Sequence, residues 1–128
     1  MWLREESHSH ITELLDTTRV DLSDLAKDSE LLLVAVSDRA IPETIARVPE
    51  TDAIIFHASG ALPSFRDGFS LHPLKALPAI GEPSDLAGTL LVFEGKHRKT
   101  AKLIATATGG GELAPLDDAL EDAAHAGA

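Results

Sequence analysis

Leu31-Leu32-Leu33-Val34-Ala35-Val36, running into Ser37-Asp38, is the stretch that decides how the chain is read. Its six residues form the longest unbroken apolar run in the sequence. A continuous run, in contrast to an alternating one, predicts a strand covered on both faces, the habit of parallel sheets. A helix follows, because Ile41, Ile45 and Val48 recur at i, i+4 and i+7. Asp38 is placed to cap it, Pro42 is tolerated only near its first turn, and Pro49 ends it. Ala53-Ile54-Ile55-Phe56 is a second buried strand and leads into His57-Ala58-Ser59-Gly60-Ala61. Strand, helix and strand with tight connections make a βαβ unit, whose crossover is right-handed in nearly all proteins.

Outward from this unit the pattern weakens but persists. Upstream, Ile11, Leu14 and Leu15 predict a short amphipathic helix capped by Ser7 or Ser9, and Trp2-Leu3 reads as the end of a strand. Val20 reads as a brief edge strand, and Leu22 to Lys27 as a single helical turn. Downstream, Phe69 to Leu71 is a short strand ending at His72-Pro73. Residues 73–87 contain Pro73, Pro78, Pro83 and Gly81 and predict an irregular loop. Thr89 to Phe93 is a further strand, closed by Glu94-Gly95. The helix from Lys96 to about Thr108 is expected to bury Thr100, Leu103, Ile104 and Ala107, and Gly109-Gly110-Gly111 to stop it. From Glu112 to Ala128 the chain is acidic, with Leu113, Leu116 and Leu120 at the spacing of one weak helix. Alternating strands and helices argue for an α/β fold with an open, doubly wound, mostly parallel sheet.

Composition bounds the function. The 128 residues fit one domain, and 44% hydrophobic content supplies a core. No apolar run approaches the about 20 residues of a membrane span. Met1-Trp2-Leu3 runs straight into Arg4-Glu5-Glu6, so no leader pattern opens the sequence, and a cytoplasmic location is expected. Eleven Lys and Arg against 21 Asp and Glu leave a net charge of -10, which repels phosphate backbones and argues against general nucleic-acid binding. With no cysteine, thiolate catalysis and cysteine-bound metals drop out. The six histidines and the carboxylates show no ligand spacing, so no metal site is expected.

In open α/β sheets ligands bind outside the carboxyl ends of the strands. After Trp2-Leu3 come Arg4, Glu5, Glu6 and Ser7, where an arginine can take a ribose 2′-phosphate; the plainer reading is a charged loop. After the apolar run come Val36 and Ser37, small enough for a cofactor to pass close to the backbone. His57, Ser59 and Gly60 combine a titratable ring, a hydroxyl and a residue free to adopt positive φ. His57 is a candidate acid, base or hydrogen-bond donor, against the plainer reading of a structural histidine. His72 joins it on one rim if their strands are parallel neighbours. His8 and His10 read as surface residues. Lys96, His97, Arg98, Lys99 and Lys102 form a positive patch that either meets a phosphate or is the solvated face of its helix. The G-x-S-x-G, Walker and G-x-G-x-x-G patterns are all missing.

The ordered series Leu32-Leu33-Val34-Ala35-Val36-Ser37-Asp38-Arg39-Ala40-Ile41, His57-Ala58-Ser59-Gly60-Ala61 and Ser70-Leu71-His72-Pro73-Leu74 resembles a group of Rossmann-like NADP-binding proteins. These are often paired with a C-terminal helical domain and are similar to pyrroline-5-carboxylate reductase and the deazaflavin-dependent NADP oxidoreductases. The resemblance covers residues 1–108, an incomplete NADP-binding domain, and leaves 109–128 as an acidic, alanine-rich tail. It implies an oxidoreductase that passes hydride between NADP and a small imine or carbonyl substrate. Arg4 and Ser7 would serve the 2′-phosphate end, Val36, Ser37 and Gly60 the nicotinamide, and His57, Ser59 and His72 the reacting end. Arg4, His57 and His72 are thus expected along one rim. The family's first strand, glycine-rich loop and first helix would precede Met1, so a Rossmann-like sheet lacking its usual first βα unit, from a truncated reading frame, is expected. The alternative is a non-catalytic module that uses exposed sheet edges to pair with itself, as a homo-oligomer, or with a complementing chain.

Overall fold

The protein is seen in a computed structural model, and the structure describes residues 1–4, 15, 17–74, 87–110 and 113–115. In chain order the elements are α1 (Leu22–Asp28), β1 (Leu31–Val34), a 3-10 turn (Asp38–Ala40), α2 (Ile41–Arg47), β2 (Ile54–His57), β3 (Phe69–Pro73), β4 (Leu91–Gly95), α3 (Arg98–Ala107) and β5 (Leu113–Pro115). The fold is α/β, with a five-stranded sheet ordered β1-β2-β3-β4-β5. β2 and β3 pair parallel, as do β4 and β5, while β3 and β4 run antiparallel. Two compact units divide the chain, residues 1–55 and 56–128, with the boundary inside β2. The predicted N-terminal helix, most of the 73–87 loop and the predicted tail helix lie outside the described residues.

In the first unit Leu32, Val34, Ile41, Ile45 and Val48 are buried together with Leu3, Ala26 and Ile55. The spacing of Ile41, Ile45 and Val48 places one stripe of α2 inward, and Pro42 lies in its first turn, where its missing N–H costs nothing. Asp38 does not cap this helix. It lies inside the 3-10 turn, and no side-chain cap bond is made; the chain turns through the backbone bond from Ala40 N–H to Ser37 O at 2.8 Å instead. α2 gives way at Val48, ahead of Pro49. The Thr51 hydroxyl donates to the Ala26 carbonyl and accepts from Ala53 N–H at 3.0 Å, which fixes the approach to β2.

The expectation that β1 is covered on both faces is corrected. Its burial alternates: Leu32 and Val34 point inward, whereas Leu31 is 37% and Leu33 55% exposed. An apolar run shows that neither face is polar; it does not show that both faces are covered.

In the second unit Phe69 is fully buried and stacks on Phe56 with ring centroids 4.8 Å apart, while Phe93 tilts against it at 6.0 Å. Leu71, Leu91 and Val92 complete this core. The predicted buried face of the last helix is also corrected. α3 turns Ala101 and Ala105 inward, while Leu103 is 72% exposed and Ala107 lies in solvent; Thr100 and Ile104 are half-buried. Two alanines four residues apart let the helix backbone approach the sheet closely, and that close approach sets the rotation. Gly109, at φ +76°, stops the helix as expected: its N–H bonds Thr106 O at 3.1 Å and Gly110 N–H bonds Ala105 O at 2.8 Å. β5, inside the stretch read as tail, pairs Leu113 with Leu91 and Ala114 with Val92. Three residues ending in proline carry too little pattern to be read as a strand.

Candidate functional site

β2 and β3 lie side by side and parallel, with Phe56 opposite Phe69 and His57 opposite Ser70. Both strands run in the same direction and β3 continues beyond the end of β2, so the 57–61 turn meets His72 beside it. His57 closes β2 with its side chain 1% exposed. Ser59 N–H donates to its Nδ1 at 3.0 Å, so Nδ1 carries no proton. The proton is on Nε2, which donates to Pro63 O at 2.7 Å. Both ring nitrogens are thus engaged, and the ring also tilts against Phe65 at 5.9 Å. The Ser59 hydroxyl accepts from Ala61 N–H at 3.1 Å, a local side-chain turn that tightens the same loop.

His72 is arranged differently. It is half-buried, and its Nδ1 sits 3.0 Å from Ala58 O. A carbonyl only accepts, so Nδ1 is the donor, and in the neutral ring Nε2 holds the lone pair. Beneath the ring lies Gly60. A Cβ on Gly60 would stand 2.6 Å from His72 Cδ2 and 2.8 Å from Nε2, so the absent side chain makes room for the imidazole. The expected reason for this glycine was different: its φ is not in the left-handed region, and close approach is what demands it.

Two residues that sequence reasoning passed over hold the loop after this turn. Glu94 Oε2 accepts from Ser64 N–H at 2.6 Å, and Oε1 accepts from the Ser64 hydroxyl at 3.2 Å. Glu94 comes from β4, thirty residues away, and nothing in local spacing reveals such a clamp. Gly95, at φ +114°, follows because a Cβ there would meet Gly68 O at 2.5 Å. In the positive patch, Lys96 pairs with Asp67 at 3.1 Å with both groups exposed, and the Arg98 guanidinium lies over Phe93 at 5.9 Å. An exposed pair of this kind contributes at most about 1 kcal/mol.

The predicted site is thereby divided. His57, Ser59, Gly60 and His72 come together in the second unit. Arg4, Val36 and Ser37 belong to the first unit, Arg4 and Val36 half-buried and Ser37 exposed. Ser7, Glu5, Glu6, His8 and His10 lie outside the described residues. No helix among the described residues is long and apolar enough to cross a membrane. No known protein family, characterised protein or solved structure matches the chain.

Proposed function

We propose that the chain is a Rossmann-like, NADP-type dinucleotide-binding domain of an oxidoreductase, with His72 at the reacting end. One observation supports it most: the carboxyl ends of two adjacent parallel strands present a turn and a histidine whose Nε2 lone pair has no protein partner among the described residues. Polar pockets of open α/β sheets form at such ends. The cofactor would supply or accept the hydride. His72 Nε2 then takes the proton released from the hydroxyl or amine of the substrate as its carbon gives up hydride, and returns it in the reverse direction. His57 and Ser59, whose donors and acceptors face one another, hold the turn on which this occurs.

The residues fit the reacting end of a nicotinamide cofactor better than its phosphates. The amides of Ser59 and Ala61 already donate within the turn and are not free to cradle an anion. Phosphate anchoring therefore falls to Arg4 and Ser7 in this reading. NADPH fluorescence titration of the full chain tests it. Saturable binding below the millimolar range is expected, with His72→Ala lowering turnover while leaving cofactor affinity within about threefold. Absence of saturable binding in that range removes the reading.

A further inference from the structure

The outer edge of β1, which pairs with no strand among the described residues, has the geometry of a receptacle. β1 ends the strand order, so β2 pairs with one of its edges only. Ile54 N–H donates to Glu30 O at 2.9 Å, which turns the peptide groups of Glu30 toward β2. Successive residues of an extended chain point their N–H and C=O to opposite sides, so those of Leu31 and Leu33 face away from β2. A cavity of about 380 Å³ adjoins this edge and is lined by all six residues from Leu31 to Val36. Side chains of one parity lie on one face of a strand and those of the other parity on the opposite face. A cavity touched by both parities reaches the strand edge, and Leu22, Leu25 and Thr44 of the flanking helices line it as well, with Val48.

Met1, Trp2 and Leu3 line the same cavity. The Met1 amine donates to Thr18 O at 3.0 Å and Met1 O accepts from Val20 N–H at 2.8 Å, the bonding of a parallel ladder. The peptide groups of Trp2 therefore face the other way, as those of Leu31 and Leu33 face away from β2. Trp2 and the outer edge of β1 thus line one gap. Among the described residues that line it no side chain is ionisable, although the chain carries a net charge of -10. Thr44, 4% exposed, lines the same cavity, and its Oγ1 has no hydrogen-bond partner among the described residues.

We infer that this gap is a slot for one inserted β-strand, uncharged and apolar over about six residues or roughly 20 Å, supplied by a separate polypeptide. Charge complementarity sets its character, since an ionised side chain would enter a neutral apolar wall without a partner. A second copy of β1 does not suit the slot: one of its edges is already taken by β2, and an inserted strand needs both edges free. The slot stands on the edge geometry of the first unit and is independent of the proposed cofactor chemistry.

Amide hydrogen exchange on the full chain, with the peptide Lys-Thr-Val-Ile-Val-Ile-Thr-Lys as probe, tests the inference. Leu31 and Leu33 should exchange about tenfold more slowly with the peptide, while Leu32 and Val34, facing β2, change little. N-methylation of the peptide along either edge should abolish the effect. Three results would overturn the inference. The first is unchanged exchange at Leu31 and Leu33 at millimolar peptide. The second is equal protection by the N-methylated peptides, which would mark a greasy cavity for small apolar molecules. The third is protection that grows with protein concentration alone, which would assign the edge to a second copy.

Discussion

The turn after β2 and the edge of β1 answer the same demand in opposite ways. Around His57 three donors meet acceptors: Ser59 N–H finds Nδ1, Nε2–H finds Pro63 O, and Ala61 N–H finds the Ser59 hydroxyl. Along β1 the peptide groups of Leu31 and Leu33 face a cavity, and Thr44 Oγ1 stands buried without a partner. The first region uses both nitrogens of the His57 ring internally, to hold the turn. The second has capacity left over, which is what recognition by another strand requires. Buried histidine therefore marks architecture here, and apolar sequence marks a contact surface, the reverse of what residue type alone suggests.

The sharpest way to break this contrast is His57→Ala. It empties a fully buried volume and strands both Ser59 N–H and Pro63 C=O, so a loss of about 3 to 5 kcal/mol is expected in urea unfolding. A loss under about 1 kcal/mol would show that the network holds little. Nitrogen-15 NMR should find His57 as the Nε2–H tautomer and His72 as the Nδ1–H tautomer. Next in size is Gly60→Ala. The new methyl would fall 2.6 to 3.0 Å from three atoms of a ring held by Ala58 O, so His72 must move, at about 1 to 3 kcal/mol. Displaced His72 resonances and lower turnover with NADPH would be read together. Unchanged resonances would mean the ring has room elsewhere.

Much of the scaffold was legible in the sequence because it rests on local pattern. The stripe of Ile41, Ile45 and Val48, the stops at Pro49 and Gly109, and strands through Leu31 to Val34, Ile54 to Phe56 and Phe69 to Leu71 all follow from period and punctuation. What escaped depends on contacts between distant residues. Whether Leu33 is covered is decided by what lies above it, not by Leu33. The rotation of α3 is decided by how closely Ala101 and Ala105 approach the sheet, against the larger side chain of Leu103. His57, Ser59, Gly60 and His72 were legible as a cluster because strand ends gather ligands. Their roles within it were not, since a hydrogen bond to Pro63 O or a clamp from Glu94 leaves no mark in spacing.

Two smaller effects probe the open region. Thr44→Val removes the hydroxyl that has no partner and keeps the shape, so the chain should gain about 1 kcal/mol in urea unfolding; a loss of that size would mean the hydroxyl is satisfied after all. Leu33→Thr is the finest discriminator. On a strand covered on both faces, replacing a leucine with a polar residue would cost several kcal/mol. On β1 the side chain is 55% exposed and threonine suits a strand, so a change within about 0.5 kcal/mol is expected. The same variant keeps its backbone N–H and C=O on the outer edge. Peptide protection at residues 31 and 33 should therefore survive Leu33→Thr, because an inserted strand is held there by backbone pairing and not by the leucine side chain.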